Sequence, residues 1–177
     1  MPSLYQRLLG ERFSTLPAAV QALHDLQADI EYAGTCDVTR GSNPFCRFIC
    51  ALMQLPPAGQ AQALRVQFRA DHGREHWTRI FGTKKFYSLQ YAQSELLFEK
   101  INIITLAFQV TAAPEKLSLA LRQVYLLGLP VGSIFRPQVT ADEYAEGDIF
   151  KVRVHVTLPL FGLLVRYAGS LAKASGG

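Results

Sequence analysis

In the segment Glu75-His76-Trp77-Thr78-Arg79-Ile80-Phe81-Gly82, an acid, an indole, a guanidinium and a phenyl ring recur at every second position. Residues two apart on a strand share a face. Glu75, Trp77, Arg79 and Phe81 are therefore predicted to point one way, with His76, Thr78 and Ile80 opposite. Trp77 is the single tryptophan of the chain, and it lies between two charges. Burying charge is costly unless it is paired, so the pattern predicts a polar element inside an apolar cavity. The chemistry on offer is Glu75 as a catalytic general acid or base, or as a ligand anchor, and Arg79 as the holder of an anionic or carbonyl oxygen. The competing reading is a buried ion-pair network that fixes strand register. Glu75 and Arg79 are themselves about 13 Å apart along a strand, so each needs a partner on a neighbour. Arg65 or Arg69 is the expected partner of Glu75. Trp77 and Phe81 are ligand-contacting rings or core filling, with a cation–π approach of Arg79 to Trp77.

Further ligand-binding candidates come from isolated polar groups near apolar faces. Tyr87, Tyr91 and Tyr125 are candidate hydrogen-bond donors on a cavity wall. Gln123 and Tyr125 end a face begun by Leu117, Leu119 and Leu121. Arg136, between Phe135 and Pro137, would close the cavity mouth or sit in solvent. His24, His72, His76 and His155 show no metal-ligand spacing, and there is no glycine-rich phosphate loop and no G-x-S-x-G turn. No metal and no cofactor are expected. Cys36, Cys46 and Cys50 read as small, buried, reduced thiols.

These residues need strands to hold them. Alternation is clearest over Ile149 to Leu158, where Phe150, Val152, Val154, Val156 and Leu158 share the face predicted to be interior. It recurs over Ile30 to Val38, with Leu64, Val66 and Phe68, and in the motif strand. Asp71-His72-Gly73 and Gly82-Thr83-Lys84 read as hairpin turns. Leu96 to Val110 reads as one long apolar segment, Lys116 to Leu127 as a strand, Gly128 to Pro137 as an irregular loop, and Leu160-Phe161-Gly162 as a turn into a last strand ending near Leu171. Two helices precede most of this. The first, Thr15 to Leu26, has Ser14 as N-cap and a stripe of Leu16, Val20, Leu23 and Leu26, with His24 and Asp25 expected at the surface. The second, Phe45 to Leu55, is apolar almost all round and is expected to be buried as a lid or plug, or else to touch a membrane or partner.

The fold expected is α+β and mainly antiparallel β. It is a curved meander or a closed, lipocalin-like β-barrel, because closure removes the edges of a sheet of eight to ten strands. The alternative is a helix-grip fold, against which the C-terminal strand pattern counts. Residues 1–172 are expected to form a single domain and residues 173–177 a flexible tail.

Hydrophobic residues make up 49% of the 177 and charged residues 18%, with a net charge of +4. The apolar surplus calls for a large core, a cavity, or a partner or membrane surface. The basic residues are scattered without interleaved aromatics, so no nucleic acid is expected as a partner. No apolar run approaches the length of a membrane span. No export signal is visible, which with three reduced cysteines predicts a cytoplasmic protein.

The elements Tyr5-Gln6-Arg7-Leu8-Leu9-Gly10, Tyr32-Ala33-Gly34, Leu55-Pro56-Pro57-Ala58-Gly59, Glu75 through Gly82, Leu158-Pro159-Leu160-Phe161-Gly162 and Arg166-Tyr167-Ala168-Gly169 together resemble a bacterial family of unassigned function. Its members occur alone or fused behind NAD(P)-binding oxidoreductase domains. The resemblance covers nearly the whole chain, departing over Phe98 to Phe108, and implies no catalytic residues. The leading functional reading is a barrel binding an apolar small molecule, as a carrier or as a catalyst of cyclisation or isomerisation. An internal cavity of several hundred Å³ would mark it. The alternatives are a non-catalytic partner module of an NAD(P)-dependent oxidoreductase, marked by a filled interior and an exposed apolar patch, and a peripheral lipid-binding protein, marked by exposure of the second helix and of Leu158 to Val165 beside basic residues. A homodimer is compatible with each.

Overall fold

The computed structural model describes residues 2–53 and 55–174. The strands follow one another as antiparallel neighbours: β1 (Ile30–Arg40), β2 (Gly59–Asp71), β3 (Arg74–Phe81), β4 (Lys84–Gln93), β5 (Leu96–Ile101), β6 (Ile104–Ala113) and β7 (Lys116–Leu126). A two-residue β8 (Leu129–Pro130) folds back on the end of β7, and β9 (Gln138–Glu146), β10 (Ile149–Leu158) and β11 (Gly162–Lys173) complete the set. β9 takes the other half of β7, and β11 returns to pair with β1. The result is a closed barrel of ten strands among the described residues, with β8 as a flap. Among the described residues each of the ten barrel strands has a neighbour on both sides, so the helix-grip alternative, a curved sheet wrapped on a helix, is not realised.

The connections fall at two ends. The lower end holds the β2–β3, β4–β5, β6–β7 and β9–β10 hairpins, and it is plugged by α1 (Leu4–Leu9), a 3-10 helix (Gly10–Thr15) and α2 (Ala18–His24). α1 is fixed by a capping box, in which Ser3 accepts from the Gln6 N–H and Gln6 accepts from the Ser3 N–H. Arg7 then ties the plug to the wall by donating to the Gly73 carbonyl at 2.6 Å. The upper end carries α3 (Pro44–Leu52), the β3–β4 and β5–β6 hairpins, the 131–137 loop and the β10–β11 turn. β1 runs so close to β11 that a Cβ on Gly34 would overlap the Ser170 carbonyl oxygen, which leaves glycine as the residue that fits there.

Several expectations are corrected in detail. The first helix is shorter than Thr15 to Leu26: Pro17 is its N-cap, and the Ser14 hydroxyl donates to the Glu11 carbonyl instead of capping it. Its stripe of Leu16, Val20, Leu23 and Leu26 is buried as expected, but His24 is fully buried as well. The second helix is not buried all round. Cys46 and Cys50 pack against Leu164, while Phe45, Phe48 and Leu52 face outward, because a helix lying across the rim offers the barrel one side only. The Leu96 to Val110 segment is two strands, turned at Asn102, whose φ of 51° an asparagine tolerates. β9 and the short helix α1 had no counterpart in the sequence reading. Lys173 belongs to β11, and the last three residues of the expected tail, 175–177, lie outside the described residues.

Candidate functional site

The barrel encloses a cavity of about 380 Å³. Its upper walls are apolar. Val152, Val154, Val156 and Leu158 line it from β10 together with Phe150, the face predicted to be interior. Phe81, Ile101, Leu106 and Phe108 line the opposite side. Toward the plugged end the wall changes character, and five strands and both plug helices bring polar side chains together.

From β3, Glu75, Trp77 and Arg79 all turn inward, as their spacing requires. Arg79 donates to Ser88 Oγ at 2.8 Å and to Glu99 Oε1 at 3.0 Å, and its guanidinium lies 4.8 Å from the Trp77 ring centre. Its partners are thus a β4 serine and a β5 glutamate. Trp77 Nε1 donates to Glu75 Oε2 at 3.0 Å. Arg65 and Arg69 point outward, Arg65 toward Glu31, so neither pairs with Glu75. The other Glu75 oxygen has no hydrogen-bond partner among the described residues. Burial raises the Glu75 carboxyl above its usual range, against the opposing pull of His24 and of the Trp77 hydrogen bond.

The plug supplies Tyr5 and His24. Tyr5 donates to Gln90 Oε1 at 3.0 Å, and its ring lies 3.8 Å from the His24 ring. His24 Nε2 meets Glu143 Oε2 of β9 at 2.5 Å. Burial, and then the carboxylates of Glu143, Glu75 and Glu99, push the Tyr5 hydroxyl far above its ordinary pKa. Burial does the same to Tyr167 of β11. Of this cluster, Tyr5, Trp77, Arg79, Gln90, Glu99, Glu143 and Tyr167 reach the cavity surface, whereas Glu75 and His24 stand behind it. A carboxylate backed by an imidazole at the floor of a largely apolar pocket is placed to exchange a proton with a bound molecule. Among the described residues no group of His, Cys, Asp and Glu is arranged to hold a metal ion.

The sequence-derived candidates divide. Trp77, Arg79 and Phe81 line the cavity. Tyr87, Tyr91, Gln123, Tyr125 and Arg136 do not. Tyr87 and Tyr91 alternate with the inward Ser88 and Gln90, and so stand on the outer wall, where Tyr91 stacks on Phe98. Gln123 and Tyr125 are turned out by a break in β7. Phe108 pairs with Leu121 but Ala107 with Gln123, so one extra residue shifts the alternation and brings Val124 inward. Arg136 bonds the Arg122 carbonyl and Gln123 Oε1, bracing the loop from outside. Glu143 escaped the sequence reading, although Val139, Ala141 and Glu143 keep period two and all line the cavity.

A domain family of unknown function, DUF4166, matches residues 16–171, from just before the plug helix α2 to the closing strand. The chain belongs to this family. The DUF4166 match includes His24, Glu75, Trp77, Arg79, Glu99 and Glu143, and leaves Tyr5 outside. Comparison with curated proteins and with solved structures gives no match.

Proposed function

We propose that this DUF4166 barrel binds an apolar small molecule, with the polar floor orienting one oxygen-bearing end of it. The observation that carries the reading is the cavity of about 380 Å³, apolar along its walls and charged at its base. That volume falls in the range of small-molecule sites, and a few polar groups among many apolar ones is their usual composition. On this reading Arg79 and the Tyr5 hydroxyl contact the ligand oxygen, and the walls hold the chain in a folded shape. Isomerisation or cyclisation is the reaction class that fits: Glu143 would take a proton from one carbon and return it to another, with His24 holding the carboxylate in place. Glu75, set behind Trp77, acts as a positioning residue and not as the base. A role as a filled partner module beside an oxidoreductase is disfavoured by the cavity of about 380 Å³.

Native mass spectrometry of the purified protein tests the proposal. A non-covalent adduct is expected, and its loss in Ala141→Phe, which fills the cavity from β9, is expected with it. Wild-type protein that carries no adduct and takes up no apolar fluorescent probe would overturn the reading.

A further inference from the structure

The large apolar side chains that the barrel exposes are gathered at one end. Phe48 and Leu52 on α3, Leu127 in the β7–β8 turn, Ile134 and Phe135 in the following loop and Leu160 in the β10–β11 turn all stand on the upper rim. Leu160 is 88% exposed and Phe48 62%. The lower end has Ile149, and the outer wall has Tyr87. Elsewhere the wall turns Gln67, Arg69, Lys100 and Arg166 to solvent, beside the half-buried outer rings of Tyr91, Phe98 and Tyr125.

The acids are sorted along the same axis, whereas basic residues stand at both ends, with Arg7, Arg12, Arg74 and Lys116 at the lower one. Among the described residues, Arg40, Arg47, Lys84, Lys85, Lys100, Arg122, Arg136 and Arg166 stand on the upper half outside the interior, and Asp37 is the acid there. Asp37 is itself engaged by the Ala61 N–H. The acids gather below, where Asp25, Asp29, Glu95, Glu115 and Asp148 surround the plug. The rim is also continuous with the cavity: Phe135 and Leu126 line the pocket and are exposed at the surface.

We infer that the upper rim docks on an anionic lipid bilayer, with the cavity mouth against the membrane. Apolar side chains on separate turns, ringed by Lys and Arg, match an interface of acyl chains beneath anionic headgroups. A second copy of the chain is a poor occupant, since two rims of the same strong positive charge repel. No helix among the described residues is long and apolar enough to cross a membrane, and the contact is peripheral. The inference goes beyond the cavity reading and does not require it, because the rim would bind lipid whatever the cavity holds.

Vesicle flotation tests it, using phosphatidylcholine alone and phosphatidylcholine mixed with phosphatidylglycerol. The wild-type protein should float with the anionic vesicles at low salt and be released by high salt. Phe48→Ser with Leu160→Asp should abolish flotation, and Lys84→Ala with Lys85→Ala should weaken it roughly tenfold or more. Tyr87→Ser, an equally exposed aromatic on the outer wall, should leave it unchanged. Circular dichroism of each variant separates loss of docking from loss of fold. Failure of the folded wild-type protein to float with anionic vesicles at low salt would overturn the inference. So would self-association abolished by the rim variants in a protein that binds no vesicle. Adduct loss in Ala141→Phe with flotation intact would leave docking standing, so the two proposals can fail separately.

Discussion

Glu99→Gln is the sharpest probe of the cavity floor. Arg79 and Glu99 meet at 3.0 Å with side chains only 15% and 12% exposed, and the Ser88 hydroxyl is the other hydrogen-bond acceptor of the guanidinium. Removing the carboxylate charge leaves a buried cation without a counter-ion. Such losses cost about 3–5 kcal/mol in full burial. The residual exposure toward the cavity argues for the low end, about 3 kcal/mol. For a domain of this size that lowers the melting temperature by roughly 6–12 °C. The replacement Arg79→Met with Glu99→Leu removes both charges and should recover most of the loss, since an apolar pair of similar volume often matches a buried ion pair. The assay is urea denaturation followed by the fluorescence of Trp77, the single tryptophan, which sits 4.8 Å from the guanidinium. If Glu99→Gln costs under about 1 kcal/mol, or if the double variant is less stable than the single one, the ion pair is not what holds Arg79.

Two further outcomes are expected. Because burial raises the Glu75 carboxyl, the folded state holds that proton more tightly than the unfolded chain, so its stabilising share is full in acid and is lost as pH climbs through the raised value. Glu75→Gln keeps an acceptor for Trp77 and cannot ionise, so it should gain stability over wild type as pH rises from about 4 to about 7; urea midpoints whose difference stays flat across that range would refute this. Val154→Asp places a carboxylate on the apolar wall of β10 and should cost on the order of 3 kcal/mol or more, which an unchanged melting temperature would contradict.

Strands with unbroken alternation could be read directly. β2 and β10 put one apolar set inside and one polar set out, and in β3 the inward turn of Glu75, Trp77 and Arg79 follows from the same period-two rule. Wherever the chain departs from that rule locally, the reading fails for a physical reason. One inserted residue in β7 reverses the facing of Gln123 and Tyr125, and nothing in their side chains announces it. Asn102 makes a turn without the glycine or proline that usually marks one. β9 hides because Asp142, Glu143 and Glu146 look like a solvated run. In fact Asp142 turns out to Lys116 and Ser118, while Glu143 turns in to His24. The His24–Glu143 pair joins a plug helix to a late strand, and no local pattern shows that a polar residue beside an apolar stripe has its partner far along the chain.

The seam between β1 and β11 has a consequence for how the molecule comes into being. Tyr32 pairs with Lys173 and Arg40 with Val165, so the first strand waits for the last. Contacts so distant in sequence form slowly, since the entropy of closing the intervening chain is lost before the pairing rewards it. During synthesis β1 presents a bare hydrogen-bonding edge until β11 has emerged, and that is the interval in which neighbouring chains can pair with it wrongly. The plug helices are made before any wall exists for them to plug. Glu143, Arg79 and Tyr167 become neighbours only when the ring shuts. On the proposed binding reading, a guest molecule would enter a finished container or be enclosed at the moment of closure, and in the second case it would speed the closing step.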